Sequence, residues 1–119
     1  MLYIGAHIKI IDNSGARIGG LIKMLKNKHG GIGNVCILSV KQATPNKKVK
    51  KHTIQRALIV RTGNFSRRRD GSYLRWQYTS SILINKQNLP IGKRIIGPVD
   101  KKLREMGHLK LISIASIAI

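Results

Sequence analysis

The chain of 119 residues suits one compact domain over 1–119, and 42% hydrophobic residues are enough for a real core. Lys and Arg total 23 against 4 acids, a formal net charge of +19, which excludes the usual mixed-charge surface and calls for a polyanion to relieve self-repulsion. No run reaches the roughly 20 apolar residues needed to span a bilayer; the longest, Leu109 to Ile119, contains Lys110, Ser113 and Ser116, so the expected counter-charge is nucleic acid and not a membrane.

Taken in chain order, the pattern is mostly period two, as half-buried strands require. The first strand is predicted over Tyr3 to Ile11, followed by a reversal at Asp12-Asn13-Ser14-Gly15, four turn-forming residues in a row. A second strand runs through Ile18, Gly20, Ile22 and Met24. Lys26 to Gly33 is a basic, Gly-rich loop, and Asn34 to Ala43 is an apolar third strand with the lone Cys36 as a small buried residue. Thr44 to His52 is a polar loop. The fourth strand spans Ile54 to Arg61, where Leu58-Ile59-Val60 implies burial on both faces. Residues 62–84 read as a long hairpin whose return arm runs from Tyr73 to Ile84, reversing at Asp70-Gly71 with positive φ at both turn residues. Beyond it, Asp100 is the expected N-cap of a short helix that reaches Met106 and stops at Gly107. A second short helix is placed over Leu109 to Ile117. The strand spacing favours a small closed barrel, which removes exposed sheet edges, with short helices capping one end.

Catalytic chemistry finds little material here. Asp12 and Asp70 are accounted for as turn formers and Asp100 as a cap, which leaves only Glu105. His7, His29, His52 and His108 are widely spaced, with no Cys or acid at ligand spacing, so no metal or other cofactor is expected. Gly30-Gly31-Ile32-Gly33 lacks the dinucleotide fingerprint and the P-loop ending, and reads as a turn that lets another backbone, such as RNA, come close. Neither an enzyme nor a small-molecule binder is indicated.

What the chain does carry is basic loops on an apolar frame. Lys23, Lys26 and Lys28 surround one loop, and Lys47, Lys48, Lys50 and Lys51 lie in another. Arg67, Arg68 and Arg69 approach the hairpin tip, and Arg75 returns from it. Phosphates attract both residue types, with Arg adding bidentate geometry. Trp76, Tyr73 and Tyr78 read as packing residues and not as a stacking platform, so the expected partner is a folded RNA bound by backbone and shape.

Several blocks then occur in order: Asp12-Asn13-Ser14-Gly15-Ala16-Arg17, Ser39-Val40-Lys41-Gln42-Ala43, Val49-Lys50-Lys51 after Pro45, Ala57-Leu58-Ile59-Val60-Arg61-Thr62, and Arg68-Arg69-Asp70-Gly71-Ser72-Tyr73. Pro90-Ile91-Gly92, Arg94-Ile95, Gly97-Pro98-Val99 and Leu103-Arg104 complete them. Over essentially its whole length the chain resembles the universal large-subunit ribosomal protein L-fourteen family. The resemblance implies a mainly β protein: a small closed five-stranded β-barrel with a projecting β-ribbon at about 62–84 and a C-terminal region of short helices at about 98–119. It implies binding to large-subunit rRNA, with contacts carried onto Asn13, Ser14, Arg17, Arg61, Arg94 and Arg104 beside the basic loops. Its other implied partners are small-subunit rRNA through an inter-subunit bridge, neighbouring large-subunit proteins, and an anti-association or silencing factor.

The chain departs from the family pattern at Asn34, where an acid is usual, at His52, where Gly is common, and at Trp76, Gln77 and the 115–119 end. With the abundance of Ile and Lys and the absence of a leader-like start, these departures point to a mitochondrial, organelle-encoded member, the alternatives being a plastid or a bacterial cytoplasm. The competing functions are a free-standing RNA chaperone and a small nuclease. Sedimentation with large subunits through high salt would separate the first of these from a ribosomal protein.

Overall fold

Apolar residues facing a shared interior build the five strands that close into a barrel, and two of those strands are buried on both faces. The structure, a computed structural model, describes residues 3–25 and 31–119. Its strands are β1 (His7–Ile10), β2 (Ala16–Met24), β3 (Val35–Ala43), β4 (Ile54–Arg61), β5 (Ser66–Arg67), β6 (Tyr73–Leu74) and β7 (Ser80–Ile84), followed by helices α1 (Lys102–Glu105) and α2 (Leu109–Ile114). The closed barrel has the order β1-β2-β3-β4-β7, while β5 and β6 form a separate two-stranded ribbon. All barrel pairs are antiparallel except the closing one, where β1 meets β7 in parallel. Register shifts between β2 and β3 bend that long pair, the curvature a five-stranded closure needs.

Period two decides which side chains fill the barrel. Ile8 and Ile10, Leu21, Cys36, Leu38 and Val40, Ala57 and Ile59, and Leu83 point to one shared interior core. Their neighbours Leu58, Val60, Ile82 and Ile84 point outward into a second core with Val99, Leu103 and Leu111. The C-terminal segment therefore covers the outer face of β4 and β7, which explains why β7 is buried at all five positions and shows no alternation. The expected two-sided burial of Leu58-Ile59-Val60 is met, each being fully buried. Every such Leu or Ile contributes about 1.5–3 kcal/mol of apolar transfer. Burial pushes the Cys36 thiol up to about 11, so it stays protonated and packs as a small hydrophobe.

The boundaries of β2, β3 and β4 fall within two residues of the sequence reading, but other expectations need correction. The first strand begins at His7 and not Tyr3, because residues 3–6 form a turn in which the Ala6 N–H donates to the Tyr3 carbonyl at 3.0 Å and Gly5 takes φ +88°. The return arm after the ribbon tip is not one strand: β6 pairs only with β5, residues 75–79 leave the strand conformation, and β7 then joins the barrel. At the tip only Gly71 has positive φ, at +88°. Arg68 N–H donates to the Ser72 carbonyl at 2.9 Å and Gly71 N–H to the Arg68 carbonyl at 3.1 Å. That is a three-residue loop closed by a left-handed glycine, which asks nothing unusual of Asp70.

At the C-terminal end Lys101 precedes α1, yet Asp100 Oδ1 still accepts the Lys102 N–H at 2.9 Å, and Gly107 ends the turn with φ +90°. The second helix stops at Ile114. Residues beyond it extend, with Ala118 bridging Val99.

Candidate nucleic-acid interface

The Asp12–Gly15 turn organises the basic surface. Asp12 is buried; its Oδ1 accepts the Ser14 N–H (3.2 Å) and hydroxyl (2.6 Å), while Oδ2 accepts the Leu83 N–H (3.0 Å) from β7. Asn13 Oδ1 accepts the backbone N–H groups of Lys93 (2.8 Å) and Arg94 (3.2 Å). The Gly15 carbonyl accepts the Thr44 N–H (2.7 Å) and the Ser14 carbonyl the Val49 N–H (3.2 Å). Gly15 sits at φ +108°, and a Cβ there would lie 2.3 Å from Lys47 Cβ. One turn thus draws together β7, the loop after β3 and the segment around residues 92–96.

Their cations converge as a result. Lys9, Arg17 and Lys47 flank a groove of about 700 Å³ with Ile10, Ile18 and Ile96 among its apolar walls. A smaller hollow of about 290 Å³ shares Asn13 and Lys47 with it and adds Lys48 and Lys93. Arg17 Nε donates to Thr44 Oγ1 at 3.2 Å, which fixes where its guanidinium can reach. Lys50 and Lys51 are exposed on the same loop, whose return is made by His52 at φ +68°. That backbone angle is the physical reason a glycine suits this position; His is among the residues that tolerate it.

The other site residues predicted from sequence divide in three ways. Lys23, Arg67, Arg69, Arg75, Arg94 and Arg104 are exposed, Lys23 on β2 and Arg104 on α1. Ser14, Arg61 and Arg68 are turned to internal work. Ser14 is buried with its hydroxyl on Asp12. Arg61 is half-buried with its guanidinium 5.8 Å from the Trp76 ring and 5.7 Å from Tyr78, and burial holds it below the ordinary arginine range. Arg68 pairs with buried Asp100 at 3.3 Å and also donates to the Ile119 carbonyl oxygen, which ties the ribbon tip to the C-terminal segment. Lys26 and Lys28 lie outside the described residues, as do His29 and Gly30 of the same loop.

Two further expectations are corrected. Space at Gly33 is filled by Met106, whose Sδ would lie 2.2 Å from an added Cβ, so this glycine admits the protein's own α1 segment. Trp76 packs as expected, but Tyr73 and Tyr78 are exposed. Lys9 and Lys93 were missed. Lys9 stands on the outer face of β1 between Ile8 and Ile10, and Lys93 follows Gly92, whose missing side chain makes room for Asn13. The Lys93-Arg94 pair was visible in the sequence; its nearness to Asn13 was not.

Among the described residues the sole ion pair is Arg68 with Asp100. A closed barrel whose loops bear cations with so few carboxylates to pair them defines a small basic β-barrel protein, built to lie against a polyanion. The family model described as "Ribosomal protein L14p/L23e" matches residues 1–119. The chain belongs to this family and is a structural constituent of the large ribosomal subunit, where it serves translation in association with rRNA and ribosomal proteins.

Proposed function

We propose that residues 1–119 act as one non-enzymatic domain that binds large-subunit rRNA on the face meeting the small subunit, and there joins a bridge to small-subunit rRNA. The observation that carries this reading is the convergence of Arg17, Lys47, Lys48 and Lys93 around the Asp12–Gly15 turn, with no carboxylate paired to any of them among the described residues. Lys50 and Lys51 extend that surface, and Lys23, Lys26, Lys28, Arg67, Arg69, Arg94 and Arg104 supply further phosphate contacts. Neighbouring large-subunit proteins and a silencing factor are the protein partners. The shortage of acids and the abundance of Ile and Lys support a mitochondrial ribosome as the location.

Binding of purified protein to its large-subunit rRNA, titrated against salt, tests the reading. With six to ten phosphates neutralised, affinity falls by about 10³–10⁵ between 50 and 200 mM salt. The double variant Arg17→Ala/Lys47→Ala shallows the log–log slope by about 2, roughly one per lost phosphate contact. A flat salt profile for the parent protein sinks the proposal.

A further inference from the structure

Four of the five aromatic residues of the chain fall between positions 65 and 78. The ribbon register shows what two of them do. Ser66 pairs with Leu74 and Arg67 with Tyr73, so continuing one residue outward sets Phe65 opposite Arg75. Side chains alternate across a ribbon, which puts Phe65, Arg67, Tyr73 and Arg75 on one face and Ser66, Leu74 and Arg68 on the other. The second face is the inward one: Ser66 and Leu74 are partly buried, and Arg68 reaches Asp100. The first is open, with Phe65 69% and Tyr73 64% exposed. It is a checkerboard in which each ring stands across from a guanidinium.

The contacts match that register. Phe65 and Tyr73 meet edge to face, with centroids 6.4 Å apart at 89°. Arg75 lies 5.4 Å from the Phe65 centroid, held there by its Nε donating to the Gly63 carbonyl at 3.0 Å. The contacts of Phe65, Tyr73 and Arg75 involve no acid, while Arg67 also borders a hollow of about 440 Å³ that Asp70, Asp100 and Glu105 line. Duplex RNA would offer the arginines phosphates but leave both rings in water. Splayed nucleotides meet both needs at once, because every base has a π-face for a ring or a guanidinium plane and every linkage carries a charge. We propose that this face of the ribbon captures unpaired RNA nucleotides, with bases stacking on Phe65 and Tyr73 and phosphates meeting Arg67 and Arg75. The inference rests on the rRNA-binding reading above and narrows it to single-stranded nucleotides at the ribbon.

The test uses the full chain with two probes of equal length, an unstructured single-stranded RNA carrying 2-aminopurine and a blunt duplex RNA. Phe65→Leu/Tyr73→Leu keeps apolar bulk on exposed positions and removes the rings. Phe65→Tyr/Tyr73→Phe keeps the rings. The leucine variant is expected to lose single-strand affinity about tenfold or more, with the 2-aminopurine quench, while duplex affinity stays within about twofold. The aromatic swap restores both signals. Unchanged single-strand affinity and quench in the leucine variant overturn the inference. So does a variant that binds RNA normally but fails to enter the large subunit, since the face then belongs to a protein neighbour. Neither result touches the broader proposal, which stands or falls on the parent protein's salt-dependent binding to rRNA.

Discussion

The two Asp-containing turns use the same local chemistry for opposite ends. In Asp12-Asn13-Ser14 and in Asp70-Gly71-Ser72, the serine two residues after the aspartate donates both its N–H and its hydroxyl to Oδ1, with the hydroxyl contact at 2.6 Å in each. At Asp12 the second oxygen takes the Leu83 N–H and the carboxylate is buried; at Asp70 the carboxylate is exposed. The Ser72 hydrogen bonds hold the Asp70 carboxyl below the usual carboxylate range. An Asx turn therefore shapes a loop wherever it occurs, but it fastens distant segments only when its spare oxygen and its neighbouring carbonyls are also taken.

Substitution at the two aspartates gives the largest contrast. Asp12→Ala strands three donors, two of them on buried Ser14, and is expected to cost about 4 kcal/mol; Asp70→Ala is expected to shift the melt only slightly. Circular-dichroism melts of both variants decide it, and equal shifts would break the comparison.

The glycines sharpen it next. Gly71→Ala meets no atom within 4 Å and carries only the left-handed penalty, about 1 kcal/mol, whereas Gly15→Ala adds a clash with Lys47 and is expected to cost about 3 kcal/mol. If the two melts coincide, the loop after β3 moves aside freely, and the turn does not fix it.

A last contrast lies within the ribbon. Arg68→Ala leaves buried Asp100 without its cation and is expected to cost about 2 kcal/mol, while exposed Arg69→Ala leaves stability nearly unchanged and weakens RNA binding. A melt showing Arg68→Ala as harmless as Arg69→Ala would free the ribbon from the C-terminal segment.

The physical reasons for what was and was not legible are residue-specific. Alternation placed β2 and β3, and the unbroken apolar run Leu58-Ile59-Val60 placed β4, which has one face in the barrel and the other under the C-terminal segment. Alternation misled at Leu74, Trp76 and Tyr78, where an apparently continuous strand is interrupted because Trp76 N–H donates to the Thr62 carbonyl at 3.1 Å and the Gly63 N–H to Thr79 Oγ1 at 3.2 Å. The basic loops were evident as composition. Their convergence was not, since it depends on Asn13 reaching Lys93 and Arg94 across 80 residues or more of chain. Arg67, Arg68 and Arg69 look equivalent in sequence. Strand parity separates them, sending Arg68 inward to Asp100 while Arg67 stays outside.

The parallel seam between β1 and β7 sets a timetable for the nascent chain. The Asp12–Leu83 hydrogen bond closes over 71 residues, so at 5–20 residues per second the first strand waits roughly 4–14 s for its partner to be made. Through that interval β1 is a bare edge, open to pairing with any other strand that passes. It is four residues long, and between its two buried isoleucines it sets Lys9 on the outside. In the finished barrel there is no edge left to guard; during synthesis, a short strand with an outward ammonium is what keeps the half-made sheet from joining a stranger.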